Sequence, residues 1–243
     1  SVTGVQTCAL PISNTSIESY SNFWQNMIGG KKLGGNDVLT VIPRHNWVSG
    51  TKYSQYDDRQ DTDVLMDPDN QYYVVTDNFN VYKCLYNNNG GTSIVKPTST
   101  STKLPFQTAD KYIWKYMYSI TSQDQLKFTT SEFIPVKTLK IKDGSSQWEV
   151  QNSAISGAIH VCQVTSGGAG YTADDIFVKI AGDGFGANAY AIRNASTNTI
   201  SEIIVDNEGY GYTRANVIIT SSSRSGRDAK AHPMISPPGG HGS

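Results

Sequence analysis

Large apolar side chains alternate with other residues in the stretch 111–120, and this pattern predicts a β-strand. The alternating positions are held by Tyr112, Trp114, Tyr116, Tyr118 and Ile120. Because successive side chains of a strand point to opposite faces, all five are expected on one face, where they form an aromatic wall. Rings of this size anchor either a β core or a subunit contact. We expect Trp114 and at least two of the three tyrosines to be buried.

The spacing of apolar residues predicts one helix, near the N-terminus. Thr15-Ser-Ile-Glu18 has the form of a capping box, and apolar residues then recur at helical spacing as far as Gly29-Gly30. These apolar residues are Ile17, Tyr20, Phe23, Trp24, Met27 and Ile28.

Short runs rich in β-branched and aromatic residues predict further strands. Residues 38–43 form one such run, and residues 71–75 and 81–86 form a hairpin around a polar turn. Residues 128–139 are expected to be extended, and Pro135 places them at a sheet edge or bulge.

The glycine-rich second part of the chain contains an internal repeat. Gly170-Tyr171-Thr172 recurs as Gly211-Tyr212-Thr213, a spacing of 41 residues, from 170 to 211. A β run precedes each copy, at 159–164 and 200–205, and another follows it, at 176–180 and 217–220. A second motif, Gly186-x-x-Ala189-x-Ala191, is matched to Gly226-x-x-Ala229-x-Ala231 at a spacing of 40, from 186 to 226. Two copies of one small β unit are predicted, and each can bury its apolar face only against the other.

These patterns predict a mainly β protein with a short N-terminal helix, divided into four parts. Residues 1–12 resemble the conceptual translation of a sequencing-library adapter and are expected to be a disordered, non-native tail. Residues 13–145 are predicted to form a β-rich framework domain, and residues 146–236 a glycine-rich β domain of two repeats. Residues 237–243 are expected to be an unstructured linker to a missing C-terminal portion.

Composition narrows the classes of function. The net charge is −1 and 17% of residues are charged, which disfavours the basic surface that a nucleic-acid binder needs. No apolar run approaches the roughly 20 residues of a membrane-spanning helix, so no span is predicted. The cysteines are odd in number and lack metal-like spacing, so free thiols are expected at Cys84 and Cys162, Cys8 being in the adapter-like tail.

Candidate chemistry is sparse, and no catalytic, cofactor-binding or metal-binding residue is predicted. His45 lies near Arg44 and the acidic pair Asp57-Asp58 in the sequence, but no motif of a known catalytic site accompanies it, so a loop histidine is favoured. The acidic stretch 57–69 could ligate calcium but lacks EF-hand spacing, which favours a solvated loop. The glycines at 167–186, including those of Asp183-Gly-Phe-Gly186, are interpreted as turn residues rather than a phosphate cradle.

Aromatic residues of the framework are the candidate contact residues. Trp47, Tyr53 and Tyr56 could stack on sugar rings, although core or protein-interface positions are favoured. The candidate framework or interface aromatics are Trp47, Tyr53, Tyr112, Trp114, Tyr116 and Tyr118.

Several blocks in order give the chain a family resemblance over residues 20–140. They are Asp37-Val-Leu-Thr-Val-Ile-Pro-Arg44, Trp47-Val-Ser-Gly-Thr-Lys-Tyr53, Tyr72-Tyr-Val-Val75, Val81-Tyr-Lys-Cys-Leu85, Asp110-Lys-Tyr-Ile-Trp-Lys-Tyr-Met-Tyr118 and Phe133-Ile-Pro-Val136. This series resembles the baseplate wedge subunit of large contractile-tailed bacteriophages.

The resemblance implies a structural virion protein of the tail baseplate, assembled in the host cytoplasm. Such a protein has no catalytic residues or cofactor, and it associates with itself and with other wedge proteins. A glycan-binding tail module is the alternative, and it requires exposed aromatic rings. A tail-associated hydrolase is a third hypothesis, and it requires two acidic groups that converge in a cleft.

Overall fold

The computed structural model describes residues 16–27, 29, 34–60, 67, 69–172, 176–222 and 225–243. The protein is mainly β, as predicted. The helices are α1 Ile17–Asn26, α2 Ser122–Phe128 and α3 Ser146–Asn152, with short 3₁₀ turns at Gly35–Asp37 and Asn88–Gly90. The strands are β1 Thr40–Pro43, β2 Tyr73–Val75, β3 Asn80–Asn87, β4 Phe106–Gln107, β5 Tyr112–Ser119, β6 Phe133–Val136, β7 Ile159–Ala169, β8 Ile176–Gly182, β9 Asn188–Asn194, β10 Thr199–Asn207, β11 Ala215–Ser221 and β12 Arg227–Ile235.

The chain divides into two compact units, Ser1–Val38 and Leu39–Ser243. In the first unit the predicted helix is confirmed over Ile17–Asn26. The expected capping residue Thr15 and the adapter-like residues 1–12 lie outside the described residues.

The second unit begins with a four-stranded antiparallel sheet, the framework sheet, in the order β2-β3-β5-β4. The predicted hairpin is confirmed, because β2 pairs with β3 and Val75 lies opposite Val81. Strand β5 is the predicted aromatic strand, and its four large rings are buried as expected. A separate two-stranded ladder joins β1 to β6.

The prediction that these rings share one face is wrong at the end of β5. Val81 lies opposite Tyr118 and the next residue of β3, Tyr82, lies opposite Tyr116, so Met117 is an extra residue in a β-bulge. The bulge breaks the alternation of side chains. Tyr112, Trp114 and Tyr116 therefore pack in one cluster, with Tyr53 and Tyr72, whereas Tyr118 and Ile120 join a second cluster.

Two short helices were not predicted. Helix α2 begins after Thr121, whose hydroxyl accepts a hydrogen bond from the Asp124 backbone N–H, and α3 begins after Ser145, which caps Trp148 in the same way. Each has seven residues, too few to display a helical period of apolar positions. The segment 128–139 is correspondingly extended only at Phe133–Val136.

The two repeats form a closed ring of six strands, the strand ring, in which every antiparallel pair takes one strand from each repeat. β7 pairs with β12, β10 with β9 and β8 with β11, and contacts between β7 and β10, β8 and β9, and β11 and β12 complete the ring. The interior is filled by apolar side chains from all six strands and from both Gly-Tyr-Thr motifs, among them Ile159, Cys162, Tyr171, Ile200, Ile203 and Tyr212. Cys84 and Cys162 are buried free thiols.

The ring has an internal two-fold relation. Val178 lies opposite Ile219, which is its own counterpart at a spacing of 41 (178 to 219). The neighbouring pairs are related in the same way, so that Ile180 opposite Val217 corresponds to Ser221 opposite Ile176. The other two strand pairs are related in the same way. Ile203 lies opposite Ala191 in one pair, and Cys162 lies opposite Pro233 in the other. Strand β10 is therefore the counterpart of β7, and β9 is the counterpart of β12.

This relation corrects the second motif of the predicted repeat. Gly184, not Gly186, is the counterpart of Gly226, since each of Gly184 and Gly226 lies against the ring of a motif tyrosine, Tyr212 and Tyr171 respectively. The spacing is therefore 42, from 184 to 226. Small residues at every second position allowed the sequence to be aligned two residues out of register.

The C-terminal segment is packed, which corrects the prediction that residues 237–243 are unstructured. His241 is buried with its ring edge-on to Tyr56, the centroids 4.7 Å apart. A side chain at Gly240 would collide with the backbone of Ile155, so this close approach requires glycine. The composition of this segment indicated a linker, because composition carries no information about contacts with distant residues.

Candidate functional site

One outer face of the strand ring, formed by β7 and β12, is covered by the framework sheet. Val161 and Met234 pack with Leu85 in a buried cluster. The Tyr56 hydroxyl donates to the carbonyl of Ile235 at 3.1 Å.

Polar contacts close the edges of this covered face. His232 Nε2 lies 2.8 Å from Asp58 Oδ1, and Gln55 Nε2 donates to Gln163 Oε1 at 3.0 Å. Together with the apolar cluster, these contacts join the framework sheet and the ring into one compact unit.

The related face, formed by β10 and β9, carries exposed apolar residues. Ile192 is the counterpart of Met234, and Tyr190 is the counterpart of His232. Ile192 is 40% exposed and Tyr190 is 52% exposed, whereas Met234 is 2% exposed. The fold of the ring is the same in both halves, so this difference arises from what covers each face.

A second pair of exposed rings lies at the end of the same half. Phe185 and Tyr210 exchange two backbone hydrogen bonds, of 3.0 and 2.9 Å, and their ring centroids are 6.2 Å apart. They are 68% and 60% exposed. The related pair in the other half is Arg227 opposite Ala169. The strand ring therefore forms without aromatic residues at this position.

We call these exposed apolar residues, together with two from the β8–β11 pair, the uncovered side of the strand ring. Its members are Phe177, Phe185, Tyr190, Ile192, Tyr210 and Ile218. Large apolar side chains that are exposed to solvent make these residues candidates for an interaction site.

The aromatic residues singled out from the sequence lie elsewhere. Tyr53, Tyr112, Trp114, Tyr116 and Tyr118 are buried in the framework. Trp47 is half-buried, and its indole N–H donates to the Ser93 hydroxyl at 3.1 Å. The structure therefore places these residues in or against the framework core, and the exposed aromatic rings of the second unit come from the repeats.

The repeat motif is a structural turn in both copies. Tyr171 and Tyr212 are buried inside the ring, while Thr172 and Thr213 lie at its surface. In the second copy the Asp183 carboxylate accepts hydrogen bonds from the backbone N–H groups of Thr213 and Arg214, both at 2.9 Å, and from the Thr213 hydroxyl. These hydrogen bonds hold the pKa of Asp183 well below its usual range.

The acidic pair Asp57-Asp58 lies beside His232 rather than near His45. Ligand atoms of the three side chains lie within 4.8 Å of one another. Asp57 is bound by the Arg59 guanidinium at 2.7 Å, which lowers the pKa of its carboxyl, and Asp58 is bound by His232. A cation at this position would need both carboxylates as ligands. Each of them is already bound by a side chain of the protein.

The other two candidates from the sequence were His45 and the rest of the acidic stretch 57–69. His45 is half-buried, and burial lowers its pKa. Asp61 and Asp63, which belong to the acidic stretch considered for calcium, lie outside the described residues.

A group of basic side chains is buried between the framework sheet and the ring. The Lys83 ammonium lies 4.1 Å from the ring centroid of Tyr56, and burial lowers its pKa to about 7. Burial, aided by the charge of Lys115, lowers the pKa of His160 to about 4, and the pKa of His241 is also well below normal. Lys115 donates to the carbonyls of Thr102 and Lys103.

Comparison of the chain with protein-family models, with curated proteins and with solved structures finds no match. Within the described residues, no helix combines the length and the apolar character needed to cross a membrane.

Proposed function

We propose that the protein is a structural subunit of a contractile phage tail, a baseplate wedge protein that acts through protein–protein contacts. The ordered sequence blocks that resemble wedge subunits support this proposal. The buried aromatic core of the framework sheet agrees with a scaffold role, because it provides a rigid support for surfaces elsewhere on the chain.

The observation that carries the proposal is the unequal treatment of two related faces. The face that holds Met234 is buried within the chain, while the face that holds Ile192 and Tyr190 is open. The β9–β10 face has the same fold as the covered β7–β12 face, but its apolar residues are exposed. Such an exposed apolar surface is suited to contact with another protein.

A glycan-binding tail module is the second candidate, and Phe185 and Tyr210 favour it. Their rings are both exposed, and their planes are tilted by 39° to each other. Flat aromatic faces stack on the apolar faces of sugars.

Co-expression distinguishes the two candidates. The chain is produced together with the products of the genes that flank its reading frame, and complexes are isolated by size exclusion and identified by mass spectrometry. A stoichiometric complex with neighbouring tail proteins is the expected result. A chain that elutes alone and is retained on immobilised host polysaccharide would instead establish the glycan-binding function.

A further inference from the structure

A cleft of about 300 Å³ lies between the framework sheet and strand β10. One wall consists of residues near the β4–β5 edge, including Leu104, Phe106 and Ile113, and the other includes Val161 and Ile204. Tyr86 completes the apolar lining. A space of this size accommodates one large side chain with part of its neighbours.

Three carboxylates line this apolar space, and no lysine or arginine does. They belong to Glu202, Asp206 and Glu208. Glu202 is already bound by Lys111, at 3.2 Å, and by Gln107, at 3.0 Å. Among the described residues, the carboxylates of Asp206 and Glu208 have neither a hydrogen-bond donor nor an ion-pair partner within contact distance.

The basic groups nearest to the cleft are His160 and Lys115, and neither forms an ion pair with Asp206 or Glu208. His160 lines the cleft, but burial lowers its pKa to about 4, so it is uncharged at neutral pH. The Lys115 ammonium donates to two backbone carbonyls, those of Thr102 and Lys103, and it is attracted by the charge of Glu208 without contacting it. The cleft therefore combines apolar walls, two aromatic rings and two carboxylates, of Asp206 and Glu208, that make no direct ion pair among the described residues.

The internal two-fold relation shows that the related place on β7 is filled. Gln163 is the counterpart of Ile204, and it is contacted by Gln55 and Asn89. Val161 is the counterpart of Glu202 and is buried against Leu85. On β10 the same positions face the open cleft, where acidic Glu202 stands in place of apolar Val161 and apolar Ile204 in place of polar Gln163.

We propose that this cleft receives an arginine side chain, flanked by apolar residues, from a partner protein. The guanidinium would pair with the carboxylates of Asp206 and Glu208, and its flat face would stack on Phe106 or Tyr86. Arginine suits such a site better than lysine, because its guanidinium is planar and less strongly hydrated. The proposal rests on the proposed function, since it names the chemistry of the partner segment.

The probe is a capped tripeptide, N-acetyl-leucyl-arginyl-leucine amide, titrated into the full chain. Binding is followed by NMR through the methyl groups of Ile113 and Ile204. Matched peptides carry citrulline or glutamate in place of arginine. We expect saturable shifts with the arginine peptide, binding weakened about tenfold or more by citrulline, and affinity that falls as salt is added.

Two variants test the residues. Asp206→Asn combined with Glu208→Gln is expected to weaken arginine-peptide binding about tenfold or more, whereas Asp228→Asn, at an exposed carboxylate of β12, leaves it unchanged. Ile204→Lys places a cation of the chain's own at the cleft and is expected to abolish binding even if the double variant is destabilised. Thermal melts verify that each variant is folded.

The outcomes separate this inference from the proposed function. Equal binding of the arginine and citrulline peptides, or unchanged binding by folded Ile204→Lys, overturns the arginine cleft. If a complex with neighbouring tail proteins still forms in that case, the structural function stands without the cleft. Arginine-specific binding by a chain that forms no such complex would retain the cleft and overturn the wedge function.

Discussion

Lys83 shows how strongly burial acts on one charged residue of this protein. The side chain is 4% exposed, and its ammonium lies among the rings of Tyr56, Tyr72 and Tyr73 at centroid distances of 4.1, 5.7 and 5.6 Å. The rings attract the cation, yet the loss of hydration dominates and lowers its pKa to about 7. The sequence pattern of the strand does not predict this lowered pKa, because the rings around Lys83 come from separate segments of the chain.

Replacement of this residue, Lys83→Met, is expected to stabilise the protein at acidic pH and to flatten its pH dependence. The pKa of the lysine is about 7 when folded and 10.5 in its unperturbed state, so between these values the unfolded chain binds more protons and stability rises with pH. The penalty is complete below the folded pKa. Each tenfold loss of proton affinity on folding costs about 1.4 kcal/mol. The unfolding free energy of the variant, relative to that of the wild type, should therefore be higher at about pH 6 than at about pH 10 by up to a few kcal/mol.

Urea unfolding of both proteins at the two pH values measures this difference. Lys140→Met, at an exposed position, is the matched control. Parallel pH profiles for the wild type and Lys83→Met would show that Lys83 is not held at a lowered pKa.

A second residue-scale prediction concerns Asp183. Its carboxylate holds the turn at Thr213, and because its pKa is depressed in the folded state, its contribution is present above the usual aspartate pKa and is lost as pH falls. Asp183→Asn should therefore lower the melting temperature by a few degrees at neutral pH and lose that effect in acid. Calorimetry makes the comparison, with the exposed Asp228→Asn as control. Equal melting temperatures for Asp183→Asn and the wild type at neutral pH would rule out this role.

Individual strands were the features that the sequence predicted best. The aromatic strand, expected at 111–120, is Tyr112–Ser119, and the hairpin strand expected at 81–86 is Asn80–Asn87. The predictions failed where local pattern carries no information. The bulge at Met117 moves Tyr118 to the opposite face, and alternating small residues hid the true repeat register at Gly184. Neither is visible until the partner strand is known.

Glycine substitutions test the corrected register of the repeat. A Cβ at Gly184 would lie 2.4 Å from the Tyr212 ring, and one at Gly226 would lie 2.4 Å from the Tyr171 ring. Gly184→Ala and Gly226→Ala should each destabilise the protein by about 1–3 kcal/mol through overpacking. Gly35→Ala, where a Cβ meets no atom within 4 Å, serves as the control in chemical denaturation. Similar stabilities for all three variants would contradict the register.

For the molecule as a whole, the two related faces of the strand ring differ in exposure, since Met234 is buried and Ile192 is not. The sequence indicated the repeats, but it placed the candidate contact residues in the framework, where all of them except the half-buried Trp47 are buried. The exposed positions Tyr190 and Ile192 carry only the signal of apolar residues at alternate places on a strand. Whether such a face is buried or open depends on packing between distant segments, so the sequence could not assign it.

The related residues Met234 and Ile192 should respond oppositely to truncation. Met234→Ala is expected to cost about 2–5 kcal/mol of unfolding free energy, because it opens a cavity in the buried cluster with Leu85 and Val161. Ile192→Ala should change that free energy by no more than about 0.5 kcal/mol, since its side chain is partly exposed to solvent. Denaturant titrations of both variants check the contrast, which fails if the two losses are equal.

The most direct test of a contact role for the uncovered side is sedimentation velocity of the chain mixed with its neighbouring tail proteins. Wild type and the double variant Tyr190→Ser with Ile192→Ser are compared at equal concentration, after thermal melts have shown equal stability. Assembly through the uncovered side predicts a complex with the wild type and free components with the variant. An identical complex with both proteins, or no complex with either, would contradict it.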